Sequence, residues 1–139
     1  MIPNISFKVR IDTFEQEGYP AGALKDESPV VRLEAYRSLG FTEKALRDKS
    51  TSVRYRAYEA LGFTRGCLKD ECGRIRLGAY MKFGFTKEAL KERALELRGM
   101  ATRYFDFFSQ VGLEDAPKFL NSKDEIKASA AKHMLERKG

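Results

Sequence analysis

The sequence predicts an all-α fold, a right-handed α-solenoid of 22-residue repeats in which each copy holds one long helix and one short α or 3₁₀ helix. Residues 23–44, 45–66 and 67–88 align beneath one another without gaps, and eight positions are identical in all three. The identical columns run from Leu24, Asp26 and Arg32 through Ala35 and Tyr36 to Gly40, Phe41 and Thr42, with their equivalents 22 and 44 residues later. Within each copy the apolar residues recur at helical and not strand spacing, and a glycine closes the run.

The copies read in order. In the first 22 residues Val9, Arg10, Phe14, Gly18 and Tyr19 hold the register of Val31, Arg32, Tyr36, Gly40 and Phe41, which makes 1–22 a degenerate N-terminal cap repeat. Ile5, Phe7, Val9 and Ile11 also alternate as a strand would, so the helical cap competes there with a strand. In 23–44, Ser28 followed by Pro29 is a helix start, with Ser as N-cap and Pro at the first helical position; Ser50 serves likewise in 45–66. Val31, Ala35 and Leu39, like Val53, Ala57 and Leu61, recur every fourth residue as an apolar stripe facing the core. The central alanine lets stacked helices approach to about 8–10 Å, so that six copies build a rod about 50–60 Å long.

Gly40, Gly62 and Gly84 can adopt the left-handed conformation that ends a helix, which sets Phe41, Phe63 and Phe85 against Tyr36, Tyr58 and Tyr80 as a clasp. Thr42, Thr64 and Thr86 then cap a second, much shorter helix carrying Leu46, Leu68 and Leu90. Two full-length helices do not fit in 22 residues, and the closely spaced alternating leucines of a leucine-rich repeat are absent. Downstream, Leu90, Leu97, Arg98, Ala101 and Phe105 keep the register in a degenerate repeat, 89–111. After the irregular stretch from Gly112 to Lys118, a C-terminal cap repeat, 119–139, recurs around Leu120, Ile126, Lys127, Ala130 and Met134. The whole is expected to be a single domain over 1–139.

The pattern of Asp, four residues, Val or Ile, Arg, two residues, Ala, three residues, Leu or Phe, and Gly runs from Asp26 to Gly40, from Asp48 to Gly62 and from Asp70 to Gly84. It resembles the HEAT-like repeats, including the short form of phycobilisome-lyase-type proteins, and its short unit is similar to the leucine-rich repeat variant with its alternating α and 3₁₀ helices. The resemblance implies architecture and no active site, since such repeats serve scaffolds, adaptors, lyases and nucleic-acid enzymes alike. The four-cysteine iron–sulfur cluster known beside the leucine-rich repeat variant has no counterpart in Cys67 and Cys72.

Arg32, Arg54, Arg76 and Arg98 form a ladder on the flank of the core stripe, and Asp26, Asp48 and Asp70 form another at the turns. Identical spacing is what stacking demands, so these are read as structural ion-pair partners between neighbouring repeats, and not as a phosphate row. Cys67 stands where Ala23 and Ala45 stand and is expected to be a small buried residue; Cys72 takes the serine cap position and is expected to be more exposed. Neither metal nor cofactor is expected, and His133, alone in the last copy, is read as solvent-facing.

Charge is uneven. Residues 45–88 carry ten Lys or Arg against five Asp or Glu, which is +5 of the net +6. Lys49, Arg56, Arg65, Arg74, Lys82 and Lys87 form the candidate binding surface, with Glu59 and Glu71 among them. The reading these features favour is a non-enzymatic scaffold that binds a protein partner; nucleic-acid binding through the basic surface of 45–88 is the alternative. No nucleophile–base pair, phosphate loop or metal motif points to an enzyme. No apolar run approaches the ~20 residues that cross a bilayer, and Pro3, Asn4 and Lys8 leave no signal-peptide core, so a cytoplasmic protein without membrane attachment is expected.

Overall fold

A computed structural model of the chain describes residues 6–138, in which six α-helices alternate with five 3₁₀ helices and no strand occurs among the described residues. The α-helices are α1 (Phe7–Glu17), α2 (Pro29–Leu39), α3 (Thr51–Leu61), α4 (Gly73–Phe83), α5 (Leu95–Gln110) and α6 (Glu125–Lys138). Between them lie the 3₁₀ helices Ala21–Lys25, Glu43–Arg47, Arg65–Lys69, Lys87–Lys91 and Ala116–Phe119. α1 is helical through Phe7, Val9 and Ile11, which removes the strand alternative there; Pro3, Asn4 and Ile5 lie outside the described residues. No described helix is long and apolar enough to cross a membrane. The chain divides into two compact units, one ending at Gly62 and the other beginning at Phe63.

In the first unit the buried face of α2 is Val31, Arg32, Ala35 and Tyr36. Leu39 and Leu61, expected to continue the core stripe, are each 48% exposed. Both are the last residue of their helix, where the chain turns away at the following glycine. Arg32 is buried with all three of its guanidinium nitrogens donating. Nε and Nη2 donate to the two carboxylate oxygens of Asp48 at 2.9 and 3.0 Å, while Nη1 donates to the carbonyl of Asp26 at 2.7 Å. Arg10 forks onto Asp26 in the same way, at 2.9 and 3.0 Å. The same carboxylates cap the next helix, because Asp26 and Asp48 accept the backbone N–H of Ser28 and Ser50 at 2.9 and 2.8 Å. Ser28 and Ser50 hold the N-cap positions as expected, but their hydroxyls make no cap bond; the aspartate two residues earlier serves in their place.

Gly40 follows α2 with φ 103° and ψ 140°, a positive-φ extended conformation in place of the expected left-handed helical one, and its N–H returns to the Tyr36 carbonyl at 2.7 Å. Tyr36 and Phe41 stack at 5.7 Å with planes 10° apart, which forms the clasp that the spacing predicts. In the cap repeat the roles are exchanged, and Phe14 meets Tyr19 at 5.3 Å. Thr42 stands at the start of its 3₁₀ helix without a side-chain cap bond.

The second unit repeats this grammar and then departs from it. Tyr80 and Phe85 stack at 4.9 Å, and Arg76 forks onto Glu92 at 3.1 and 2.7 Å while Nη1 donates to the Asp70 carbonyl at 2.9 Å. Tyr80 adds a hydroxyl donor to Glu92 at 3.0 Å, and all three side chains are buried. Burial alone would raise the Glu92 carboxyl, but the hydrogen bonds from Arg76 and Tyr80 outweigh it and hold the group below its ordinary value. Burial, together with donation to Glu92, pushes the Tyr80 phenol up to about 12. Cys67 is fully buried, Cys72 partly so, and both thiols are free. Beyond Glu92 the ladder stops. α5 runs on to Gln110, and the Arg98 guanidinium makes no hydrogen bond or ion pair among the described residues, so the structure does not carry Arg98 as a ladder member. α6 then packs against both α5 and α4.

Removing one partner of a buried ion pair strands the other charge, so Glu92→Ala is expected to lower the unfolding free energy by about 3–5 kcal/mol. Arg37→Ala, which breaks an exposed pair with Glu34, should cost within about 0.5 kcal/mol, and urea unfolding distinguishes the two. Two glycines give a second contrast. A Cβ at Gly40 meets nothing within 4 Å, so Gly40→Ala carries only the positive-φ penalty of about 1–3 kcal/mol. A Cβ at Gly84 would lie 2.8 Å from the Tyr104 hydroxyl, so Gly84→Ala should cost at least ~1 kcal/mol more in the same measurement.

Candidate functional site

The candidate cations fall in both units. In the first, Lys49 and Arg56 are exposed, and Arg56 is engaged by Glu59 at 2.8 Å within one turn of α3. In the second, Arg65, Arg74, Lys82 and Lys87 are exposed, and Arg65 and Lys82 are brought together. The Arg65 guanidinium sits 4.6 Å from the centre of the Phe83 ring, the Lys82 ammonium 5.2 Å from it, and Lys82 also donates to the Phe63 carbonyl at 2.9 Å. These two side chains cover an aromatic ring and tie α4 to the segment before it, which lowers their availability to a bound anion.

The most site-like relief in the second unit is a groove built by α4, α5 and the start of α6. One part, about 400 Å³, is lined by Leu77, Met81, Met100 and Ile126, with Arg103 and Lys123 at its rim. A second part, about 260 Å³, shares Arg103 and Asp124 with the first and has Phe107, Val111 and Phe119 as its apolar lining. Phe107 and Phe119 meet edge to face at 5.1 Å, which fixes that lining. Between the two parts Arg103 of α5 pairs with Asp124 at 2.7 Å.

Asp124 holds two jobs. It caps α6 by accepting the N–H groups of Ile126 and Lys127 at 3.0 and 3.3 Å, and it anchors Arg103. Partial burial works against its charge, but the backbone donors and Arg103 prevail and hold the carboxyl below its ordinary value.

Sequence reasoning missed this groove, although the repeat held a signal for it. Met81 stands in the column of Arg37 and Glu59, and Met100 in that of Glu34 and Arg56. Apolar residues replace charged ones at both positions, which is how a solvent face becomes an apolar one. A third hollow, of about 440 Å³, overlies Arg76, Tyr80 and Glu92, whose donors and acceptors already satisfy one another.

His133 corrects an expectation outright. It is 3% exposed, with Nδ1 3.0 Å from the Tyr104 hydroxyl and Nε2 3.1 Å from the Lys82 carbonyl. The C-terminal copy does not end as an open stack with His133 on its outside. α6 lies against α4 as well as α5, and this covers the imidazole.

Asp124→Ala removes a helix cap and an ion pair together and is expected to cost about 1–2 kcal/mol by urea unfolding. Because the folded carboxyl sits below its ordinary value of 3.8, this contribution is present above that pH and is lost as pH falls through the folded value. The difference between wild type and variant should therefore shrink in strong acid. No family model, curated protein or solved structure matches this chain.

Proposed function

We propose that this chain is a non-enzymatic helical-repeat module, of the right-handed α-solenoid kind and HEAT-like in pattern, that binds a protein partner. The observation that carries the reading is the groove of Leu77, Met81, Met100 and Ile126 continued past Arg103–Asp124 to Phe107 and Phe119. Its lining is apolar and its rim carries both signs of charge, Arg103, Lys123 and Lys127 against Asp106, Asp124 and Glu125. Apolar and aromatic lining with a mixed polar rim suits side chains of a protein segment, and methionines adapt their shape to what they meet. A phosphate backbone calls for an excess of cations along its path, which this groove lacks.

The cations of 45–88 support the same choice. Arg56 is engaged by Glu59, and Arg65 and Lys82 lie on Phe83. The repeat architecture itself favours broad contact surfaces over enclosed catalytic pockets.

The test is affinity capture from source cells with the wild-type chain and with a Met81→Glu, Met100→Glu double variant, followed by titration of the captured partner. The partner is expected to bind the variant at least about tenfold more weakly while circular dichroism and the melting curve stay close to wild type. Equal binding by a folded variant removes the groove from the reading. Fluorescence anisotropy against single-stranded and double-stranded nucleic acids runs alongside. Salt-sensitive binding that Arg65→Glu and Lys82→Glu abolish would transfer the function to the basic surface.

A further inference from the structure

The last carbonyls of an α-helix have no partner within it and must find donors elsewhere. At the end of α4 they find them on α6. The Ser129 hydroxyl donates to the Met81 carbonyl at 3.4 Å, and His133 Nε2 lies 3.1 Å from the Lys82 carbonyl. A carbonyl only accepts, so the imidazole proton is on Nε2 and Nδ1 is an acceptor. The Tyr104 hydroxyl, 3.0 Å away, is then the donor to Nδ1. Tyr104 is fully buried.

Both ring nitrogens are thus committed in the neutral form, one as donor and one as acceptor. Protonation places a hydrogen on Nδ1 facing the hydroxyl hydrogen of Tyr104, and the hydroxyl has to turn away inside a packed site. Ser129 Oγ, 3.4 Å from Nδ1, offers the Nδ1 hydrogen a longer contact than the 3.0 Å one to Tyr104 and so compensates only in part. α4 presents the Lys82 carbonyl, while the Lys82 ammonium is directed to the Phe63 carbonyl. α5 presents Tyr104, and α6 presents Ser129, Lys132, Glu136 and Arg137. Of the charged groups, Lys132 and Arg137 oppose a second cation and only Glu136 favours one. Gly84 leaves the space into which Arg137 and Tyr104 fit, so the site has little room to rearrange.

We propose that His133 is a pH-operated latch, and that acidification below neutrality releases α6 from the end of α4. Burial first of all holds the imidazole below its ordinary value of 6.5. The seating contributed by the neutral ring is fully present above that value and is lost as pH falls from there through the folded value. The latch rests on the contacts of α6 with α4 and α5 and not on the identity of whatever the groove binds, although Ile126 of α6 also lines that groove.

The test is hydrogen–deuterium exchange of the full chain at about pH 7.5 and about pH 5.5, with rates corrected for the intrinsic pH dependence of exchange. Protection of residues 125–138 is expected to fall severalfold, up to about tenfold, at the lower pH while α2 keeps its protection. His133→Gln offers an amide N–H toward the Lys82 carbonyl but cannot titrate, and α6 should then be protected equally at both pH values. No loss of α6 protection in the wild type, or the same loss in His133→Gln, overturns the latch. If His133→Gln already opens α6 at the higher pH, a ¹⁵N titration of the wild-type imidazole decides. A midpoint at or above 6.5 overturns the proposal, and a lower midpoint that coincides with α6 opening supports it. Tyr104→Phe removes the opposing hydroxyl and should move that midpoint upward.

Discussion

The interaction on which the rest depends is the fork between an arginine on one α-helix and a carboxylate at the start of the next. Arg10–Asp26, Arg32–Asp48 and Arg76–Glu92 share it, each with Nε and Nη2 on the two oxygens. A guanidinium next to the core is tolerated when each of its nitrogens finds an acceptor and its charge is neutralised. In Arg32 and Arg76 the remaining nitrogen reaches a backbone carbonyl at the turn before its own helix. One side chain therefore fixes the entry to its own helix and the entry to the next, while the carboxylate also takes the N-cap N–H. Fully buried alanines, Ala35 in α2 and Ala79 in α4, let the backbones come close where the Arg32 and Arg76 forks close, and Thr13 holds that position in α1.

The C-terminal part of the second unit solves a different problem, how to stop. α5 is 16 residues long against 11 in the copies before it, and its added turns bring Phe107 and Phe108 into the aromatic group around Tyr104. α6 does not merely stack on its predecessor. It reaches α4 and supplies side-chain donors to carbonyls that would otherwise be covered without partners. This closing helix also shapes the groove, since Ile126 and the Asp124 that caps it belong to its wall.

Much of this was legible from spacing alone. The identity of Asp26, Arg32, Tyr36, Gly40 and Phe41 across copies marks helix start, fork, clasp and helix end, and the structure places each where that spacing implies. Glu92 was not legible as a ladder member because the repeat signal was read as identity, whereas the fork needs only two carboxylate oxygens at the right height. Leu39 failed as a core residue because periodicity reports angle around a helix and says nothing of whether a neighbour extends to its last turn. His133 and the groove depend on α6 meeting α4, a contact between residues about fifty positions apart that no local pattern encodes.

The forks also act as a ruler. All three join residues 16 positions apart, with a whole 3₁₀ helix inside the span. One residue added within that span would have to be looped out or would pull the carboxylate off its arginine, so each copy is held to one length by chemistry and not by the core. Past Arg98, where no carboxylate answers, that restraint ends, and there the chain carries its irregular stretch from Gly112 to Lys118. New segments can enter a protein of this construction where the measuring stops, and that is also where its groove has formed.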